Sequence, residues 1–368
     1  MARSKRRNLK YDYAAKIGFL QSVVQVYAIS EATGDPQRVS PFRHISFAFC
    51  KNIDRIDAMA ALPIHASHTA RVMQSAHAMA CWQVTGQPEP ETISKSQRKR
   101  IYKEHAKIID DYRQRFLSGA VLQEAWQADS NNFSVMLNGA SDVMRSGAEA
   151  VFANQVIGTW IAFETLASDV WEKAVNVYPT LLAELKGVAR RISDAANTAY
   201  SKTRMRSDPD AISDARADEK IRVSVIKKAT HGFTRAPTKL GTHLREAGEV
   251  KFASLDHIRR AYSRAFSENH DEIDTVLSDK CFDALAVVRN VLVHKAGVVD
   301  LEYQKSAKGL QVPYADVRKP IELDGEITLK LTRAVVEKAG SLVEAVDSWI
   351  EKANKKKGRF PRRTSSTT

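Results

Sequence analysis

The stretch from Cys281 to Tyr303 constrains the fold most strongly, because a long helical periodicity ends there at a clear stop signal. Gly297 follows the last periodic residues and is a predicted C-cap, which places His294 in the final helical turn. On a helical wheel, one face predicts burial in a helical core. Its members are Leu277, Cys281, Leu285, Val288 and Leu292. The opposite face is only half apolar and predicts contact with another subunit or domain. Its members are Asp283, Val287, Asn290 and His294.

The same apolar spacing recurs along the chain and predicts a mainly α fold. The strongest predicted helices cover residues 63–82, 94–117, 134–178, 254–266, 271–294 and 332–353. Weaker helical patterns cover residues 11–30, 181–200 and 219–228. The segment Pro41–Cys50 fits either a short strand or a buried helical turn, and Glu326–Leu331 fits an extended piece that pairs with the preceding loop.

Charge and breaker residues suggest the domain organisation. The net charge is +13, but residues 1–10 carry +5 and residues 351–368 carry +6, which leaves +2 for everything between. We therefore expect basic disordered arms at 1–10 and 354–368, a mostly helical region of unknown role at 11–145, and a helical domain at 146–353. Such arms either raise affinity for polyanions or only aid solubility.

Several classes of protein are disfavoured by the sequence. It has no apolar run near the ~20 residues that a membrane-spanning helix needs, so no membrane partner is expected. The basic start is not followed by the apolar core of a signal peptide. Cys50, Cys81 and Cys281 are odd in number and far apart, which suits a reducing compartment and predicts a cytoplasmic protein.

A cluster in the helix predicted at 63–82 suggests a metal site, since it contains His65, His68, His77 and Cys81. Helical geometry places the first two residues and the last two on opposite sides of the helix. Core or surface histidines explain the pattern better, so we expect no metal and no cofactor.

The polar residues near the end of the 271–294 helix can carry chemistry. A histidine such as His294 titrates near neutral pH and acts as a general acid or base. An arginine such as Arg289 can clamp a phosphate, and Asn290 can orient the histidine or hold a phosphate oxygen. RNA carries its own nucleophile, the 2′-hydroxyl, so its cleavage needs only these functions. The alternative is that these cations simply favour a helix C-terminus.

Glu164 is a second residue of interest, because it lies between Trp160 and Trp171 on one face of its predicted helix. A buried carboxylate needs a partner, and Arg289 is one candidate. The alternative is that Glu164 faces solvent.

The sequence from Arg289 to His294 resembles the R-X4-6-H motif of HEPN domains, and the continuation HKAGVVD resembles the version found in bacterial HEPN proteins linked to phage defence and RNA cleavage. The helix with Phe163-Glu164, the helix with Ala261-Tyr262 and the closing amphipathic helix resemble other parts of those domains. The resemblance covers about residues 150 to 357. Lys295 departs from it, since several relatives carry a small or amide residue there.

This resemblance implies an HEPN-like helical bundle that forms a homodimer through the motif helix, with one composite cleft. Arg289 and His294 would be catalytic, and Asn290, Glu164 and Lys295 supporting. The implied function is a metal-independent endoribonuclease, a defence or toxin-like effector that acts on RNA and has an antitoxin or sensor partner. The alternative is a non-catalytic HEPN protein that binds RNA or acts as a scaffold.

Overall fold

The computed structural model describes residues 40–118, 135, 139, 141–178, 239–266 and 270–356. This part of the chain is 77% helical and contains no strand, so the predicted mainly α class is confirmed. The helices are α1 (Arg43–Thr85), α2 (Lys95–Leu117), α3 (Asp142–Val177), α4 (Leu240–Glu246), α5 (Leu255–Ala265), α6 (Asp271–Leu277), α7 (Lys280–His294), α8 (Leu301–Ser306) and α9 (Gly325–Lys356). The basic arm at 1–10, the tail beyond residue 356 and the helices predicted at 11–30, 181–200 and 219–228 lie outside the described residues.

Helix α1 begins earlier than predicted. The expected start at Pro63 is wrong, because α1 begins at Arg43 and continues through the proline. A proline inside a helix costs ~3 kcal/mol, mainly through one lost hydrogen bond and a clash with the preceding turn. Burial of apolar side chains on both sides of Pro63, including Phe49, Ile53 and Ile64, offsets that cost. The ambiguous segment Pro41–Cys50 is therefore largely helical.

The single helix predicted over 271–294 is instead two helices, α6 and α7. Asp279 has extended backbone geometry between them, and its carboxylate accepts the Cys281 N–H at 3.0 Å as the N-cap of α7. Lys338 pairs with the same carboxylate at 2.9 Å. Burial acts to raise the pKa of Asp279, but the Cys281 N–H and the Lys338 ammonium outweigh it and lower the pKa.

The start of the last helix also differs from the prediction. Helix α9 begins at Gly325, so the extended piece expected at 326–331 is wrong. Thr328, Leu331 and Val335 are buried at helical spacing, and the Thr332 hydroxyl donates to the Thr328 carbonyl at 2.8 Å. These residues continue the apolar face of the predicted helix by two further turns.

The chain forms two compact units. One comprises Asp57–Phe152 with Asp324–Glu326; the other comprises Ala153–Leu323, with flanking segments up to Ile56 and from Ile327. In the first unit, α2 packs on the second half of α1 through Ala80, Cys81 and Ile101. No helix in the described ranges is both long and apolar enough to cross a membrane.

In the second unit, aromatic side chains fix α5 and α7 against α3. The indole N–H of Trp171 donates to the Ala261 carbonyl at 3.0 Å, and the Tyr262 hydroxyl donates to the Ala167 carbonyl at 2.8 Å. Phe163 of α3 stacks on Phe282 of α7 with 4.3 Å between ring centroids. Because the polar atoms of the buried Trp171 and Tyr262 are satisfied, both rings can stay in the core. The Phe163–Phe282 contact thereby fixes the position of α7 against α3.

One residue of the outward face predicted for α7 points inward. Asp283 accepts hydrogen bonds from both terminal nitrogens of Arg259, at 2.9 and 2.8 Å. The Arg259 Nε donates to the Leu277 carbonyl at 2.8 Å. The Arg259 side chain is 1% exposed and that of Asp283 is 16% exposed. A buried guanidinium needs a charged partner, so Asp283 belongs to the core contacts of α7. Of that face, Val287 and Asn290 are half-buried, and only His294 is exposed.

Candidate functional site

Arg289 and His294 meet at the C-terminal end of α7. The Nη1 of Arg289 lies 3.4 Å from the Nε2 of His294 and donates to the Asn290 Oδ1 at 3.0 Å. A guanidinium can only donate, so the contact with His294 requires an unprotonated Nε2 that accepts. The three motif residues therefore form one connected group, with Asn290 bound to the arginine rather than to the histidine.

Arg289 retains donor capacity beyond these contacts. Its side chain is half-buried, and its Nε is buried without a hydrogen-bond partner among the described residues. A buried donor without an acceptor costs free energy. A guanidinium with a free terminal nitrogen beside an imidazole can bind an anionic oxygen next to a group that exchanges protons.

Helix α7 ends at His294, as predicted, but its C-cap is Lys295 and not Gly297. Gly297 lies two residues further on, where its φ of +79° suits glycine and its N–H donates to the Val291 carbonyl at 3.0 Å. Ala296 also has a positive φ, +49°. His294 is thus the last helical residue and is exposed, at a chain reversal that leaves its ring accessible.

Glu164 lies within the electrostatic reach of this group. It is half-buried and accepts the indole N–H of Trp160 at 3.0 Å. Burial raises the pKa of Glu164, while the Trp160 hydrogen bond and the positive charges of Arg289 and His257 act to lower it. Glu164 and Arg289 form no direct ion pair, so the carboxylate influences the arginine through space. The expected pairing of Glu164 with Arg289 is therefore not found; the hydrogen-bond partner of the half-buried carboxylate is the Trp160 indole.

His257 lies close enough to Glu164 to influence its pKa, and the sequence does not indicate this neighbour. The Ser254 hydroxyl caps α5 by accepting the His257 N–H at 3.3 Å, and it also lies 3.0 Å from the His257 Nδ1. The serine N-cap was predictable from the sequence. The proximity of His257 to Glu164 depends on the packing of α5 against α3, and no spacing along the chain indicates it.

Lys295 is placed differently from the other predicted residues. Its ammonium pairs with Asp300 at 3.5 Å, and Asp300 caps α8 by accepting the Tyr303 N–H at 2.8 Å. The lysine therefore links the end of α7 to α8. Among the described residues, no hydrogen bond or ion pair links its side chain to Arg289 or to His294.

The histidines of α1 do not converge on one point. His77 lies 3.6 Å from Cys81, whereas His68 contacts the Tyr112 hydroxyl at 2.6 Å. Among the residues that the structure describes, no group of three or more His, Cys, Asp or Glu side chains is arranged to hold a metal ion.

Comparisons of the chain with protein-family models, with curated proteins and with solved structures found no match.

Replacing Glu164 with glutamine tests the surroundings of this carboxylate. A raised folded-state pKa means that the unfolded chain loses the proton first, so stability falls as pH rises through the ordinary value of 4.5 toward the folded value. We expect the melting temperature of Glu164→Gln, relative to the wild type, to increase between about pH 4 and pH 7. Calorimetry at both pH values measures it. The exposed Glu89→Gln is the control, and an equal difference at both pH values would contradict the assignment.

Proposed function

We propose that the protein is a metal-independent endoribonuclease that cleaves RNA by 2′-hydroxyl attack at a composite site between two copies of the chain. The observation that carries the proposal is the 3.4 Å contact between Arg289 Nη1 and His294 Nε2 at the exposed end of α7. It supplies a base and a phosphate-binding cation within reach of one phosphodiester.

The reaction uses one phosphodiester and the neighbouring ribose. The Nε2 of His294 leaves its contact with Arg289 and takes the proton from the 2′-hydroxyl, and the 2′-oxygen forms a bond to phosphorus. The bond from phosphorus to the 5′-oxygen then breaks, which leaves a 2′,3′-cyclic phosphate and a 5′-hydroxyl. The leaving oxygen receives its proton from a second histidine. The products balance without a metal, an oxidant or a water molecule.

Arg289 would stabilise the negative charge that develops on the phosphoryl oxygens in the transition state. Its second terminal nitrogen is the donor that neither Asn290 nor His294 uses, while the Nε is buried. Asn290 would hold the guanidinium in position, and the carboxylate of Glu164 on α3 would attract the guanidinium electrostatically. These are positioning roles; Arg289 and His294 would touch the reacting atoms.

A second copy supplies the second histidine in this proposal. Exposed apolar side chains next to His294 support such a contact: Val293 is 44% exposed, Val298 is 40% exposed and Leu301 is 63% exposed. Apolar residues grouped beside an exposed polar site are typical of protein interfaces. We propose that this surface carries the homodimer and that the antitoxin or sensor partner of such an effector controls access to it.

Mixing wild-type and His294→Ala chains tests whether the site is shared between copies. A heterodimer of the two keeps only one of the two histidines that the reaction requires. We expect co-expression with an excess of His294→Ala chains to lower the cleavage rate per wild-type chain by about 10²-fold or more. The wild type expressed alone is the control. An unchanged rate per wild-type chain, with heterodimers demonstrated by native mass spectrometry, would refute the shared site.

The proposed activity is tested with the purified full-length protein, labelled single-stranded RNA and an excess of EDTA. We expect cleavage to proceed with EDTA present. Binding of the RNA without cleavage would favour the scaffold alternative, and cleavage that stops on chelation would contradict the metal-free mechanism.

A further inference from the structure

The loop before α9 is paired with the segment that follows His294. Residues 318–321 run antiparallel to residues 297–299 as an isolated bridge. The Val299 N–H donates to the Lys319 carbonyl at 2.9 Å, and two further backbone hydrogen bonds flank it. Since Val299 follows His294 by only five residues, Val299 lies within roughly 17 Å of the histidine backbone, and the paired loop lies about 5 Å beyond Val299.

A turn within this loop holds an arginine in a disfavoured conformation. The Lys319 N–H donates to the Asp316 carbonyl at 3.0 Å, and Arg318, the third residue of the turn, has a φ of +70°. Glycine or asparagine usually occupies such a position, because a larger side chain is crowded there. Non-glycine residues in this region are concentrated at ligand-binding sites.

The two cations of the turn are available to a ligand. Arg318 and Lys319 are exposed, and neither forms an ion pair with a described residue. The acidic residues of the same loop are Asp316, which accepts the Tyr314 hydroxyl at 3.2 Å, Glu322, which is exposed, and Asp324, which is half-buried. The turn from Asp316 to Lys319 carries two cations and one carboxylate, so it has a net positive charge.

We propose that Arg318 and Lys319 bind the backbone phosphates of single-stranded RNA next to the phosphate that is cleaved. This inference rests on the proposed ribonuclease function and adds how that site holds its substrate. Arg289 would contact the reacting phosphate, and the turn would contact a neighbouring one on the same strand. Phosphate contacts fix the register of a nucleic acid without reading its bases, so the pair would position any RNA sequence.

The unusual backbone of Arg318 gives the proposal a sharp test. Glycine fits a φ of +70° without crowding, so Arg318→Gly should keep or raise the melting temperature. The same change removes a phosphate contact and should weaken RNA binding roughly three- to ten-fold. Opposite effects on stability and affinity would not arise if Arg318 only supported the fold.

Binding is measured by fluorescence anisotropy with a short labelled single-stranded RNA and full-length His294→Ala protein, in which the RNA stays intact. Arg318→Gly and Lys319→Gln are introduced into this background. Each lost contact should also reduce the slope of log affinity against log salt by about 0.7. The control is Lys173→Gln, which removes an equal charge from an exposed position about 13 Å along α3 from Glu164.

Unchanged affinity and salt slope in both turn variants would overturn the inference, as would a protein that binds no RNA. A lower melting temperature in Arg318→Gly would also overturn it, since the arginine would then act on the fold. These outcomes are separate from the activity. If the wild type fails to cleave RNA but binding depends on the turn, the phosphate contacts stand and the proposed nuclease falls.

Discussion

Replacing His294 with alanine should reduce RNA cleavage in EDTA by about 10²- to 10⁴-fold, the usual contribution of a general acid–base group. Arg289→Ala should cost about 10²- to 10³-fold, because it removes the charge that stabilises the transition state. His294 is exposed at the end of α7, so its loss should change the free energy of unfolding by no more than about 0.5 kcal/mol. Initial cleavage rates and thermal melts measure the two quantities.

The matched control is His243→Ala, which removes a half-exposed histidine from α4 that pairs only loosely with Glu246, at 3.7 Å. It should retain the wild-type cleavage rate. Cleavage by the His294 and Arg289 variants at wild-type rates would remove both residues from the mechanism. So would a loss of activity that follows an equal loss of folded protein.

Breaking the buried ion pair should have the largest effect on stability. Arg259→Met leaves the Asp283 carboxylate and the Leu277 carbonyl without their donors. Removing one partner of a buried pair typically costs about 3–5 kcal/mol, because the remaining charge has no compensation. We expect chemical denaturation to show a loss of this size for Arg259→Met and at least as large a loss for Asp283→Leu, because the remaining guanidinium is 1% exposed and cannot lose its proton.

The double variant Arg259→Met/Asp283→Leu is the informative control. Apolar pairs of similar volume often replace a buried ion pair at little cost, so the double variant should recover much of the lost stability. Losses that simply add in the double variant would show that the two side chains act independently. Losses below about 1 kcal/mol in each single variant would contradict the buried pairing itself.

Periodicity was sufficient to predict the mainly α class and several local signals. Ser254 caps α5, as its residue type indicates. Gly297 has a positive φ in the turn beyond α7, although the C-cap itself is Lys295. The break between α6 and α7 was missed because the apolar residues on both sides stay in phase, so a helical wheel does not reveal the cap at Asp279. At Pro63 the error is the opposite, a predicted helix start where the helix is continuous. Local preference favours a helix start at a proline, but burial along α1 overrides that preference.

The candidate site shows the same division between local and long-range information. The spacing of Arg289 and His294 places both near the end of one helix but about 140° apart on the helical wheel, so it does not by itself predict their contact. The structure brings them together through the long arginine side chain. The neighbours of that pair come from tertiary packing. Glu164 depends on the stacking of Phe163 on Phe282, and Arg318 depends on a backbone pairing between two loops. No pattern within either segment specifies such contacts.

The most direct test of the central claim compares two versions of one RNA substrate in EDTA, one unmodified and one carrying 2′-O-methyl groups throughout. Our account predicts that the unmodified RNA is cut, that its fragments end in 2′,3′-cyclic phosphate and 5′-hydroxyl groups, and that the methylated RNA stays intact. Mass spectrometry of the fragments identifies the ends. Equal cleavage of both substrates, or fragments with 5′-phosphate ends, would contradict attack by the 2′-hydroxyl and the roles assigned to Arg289 and His294.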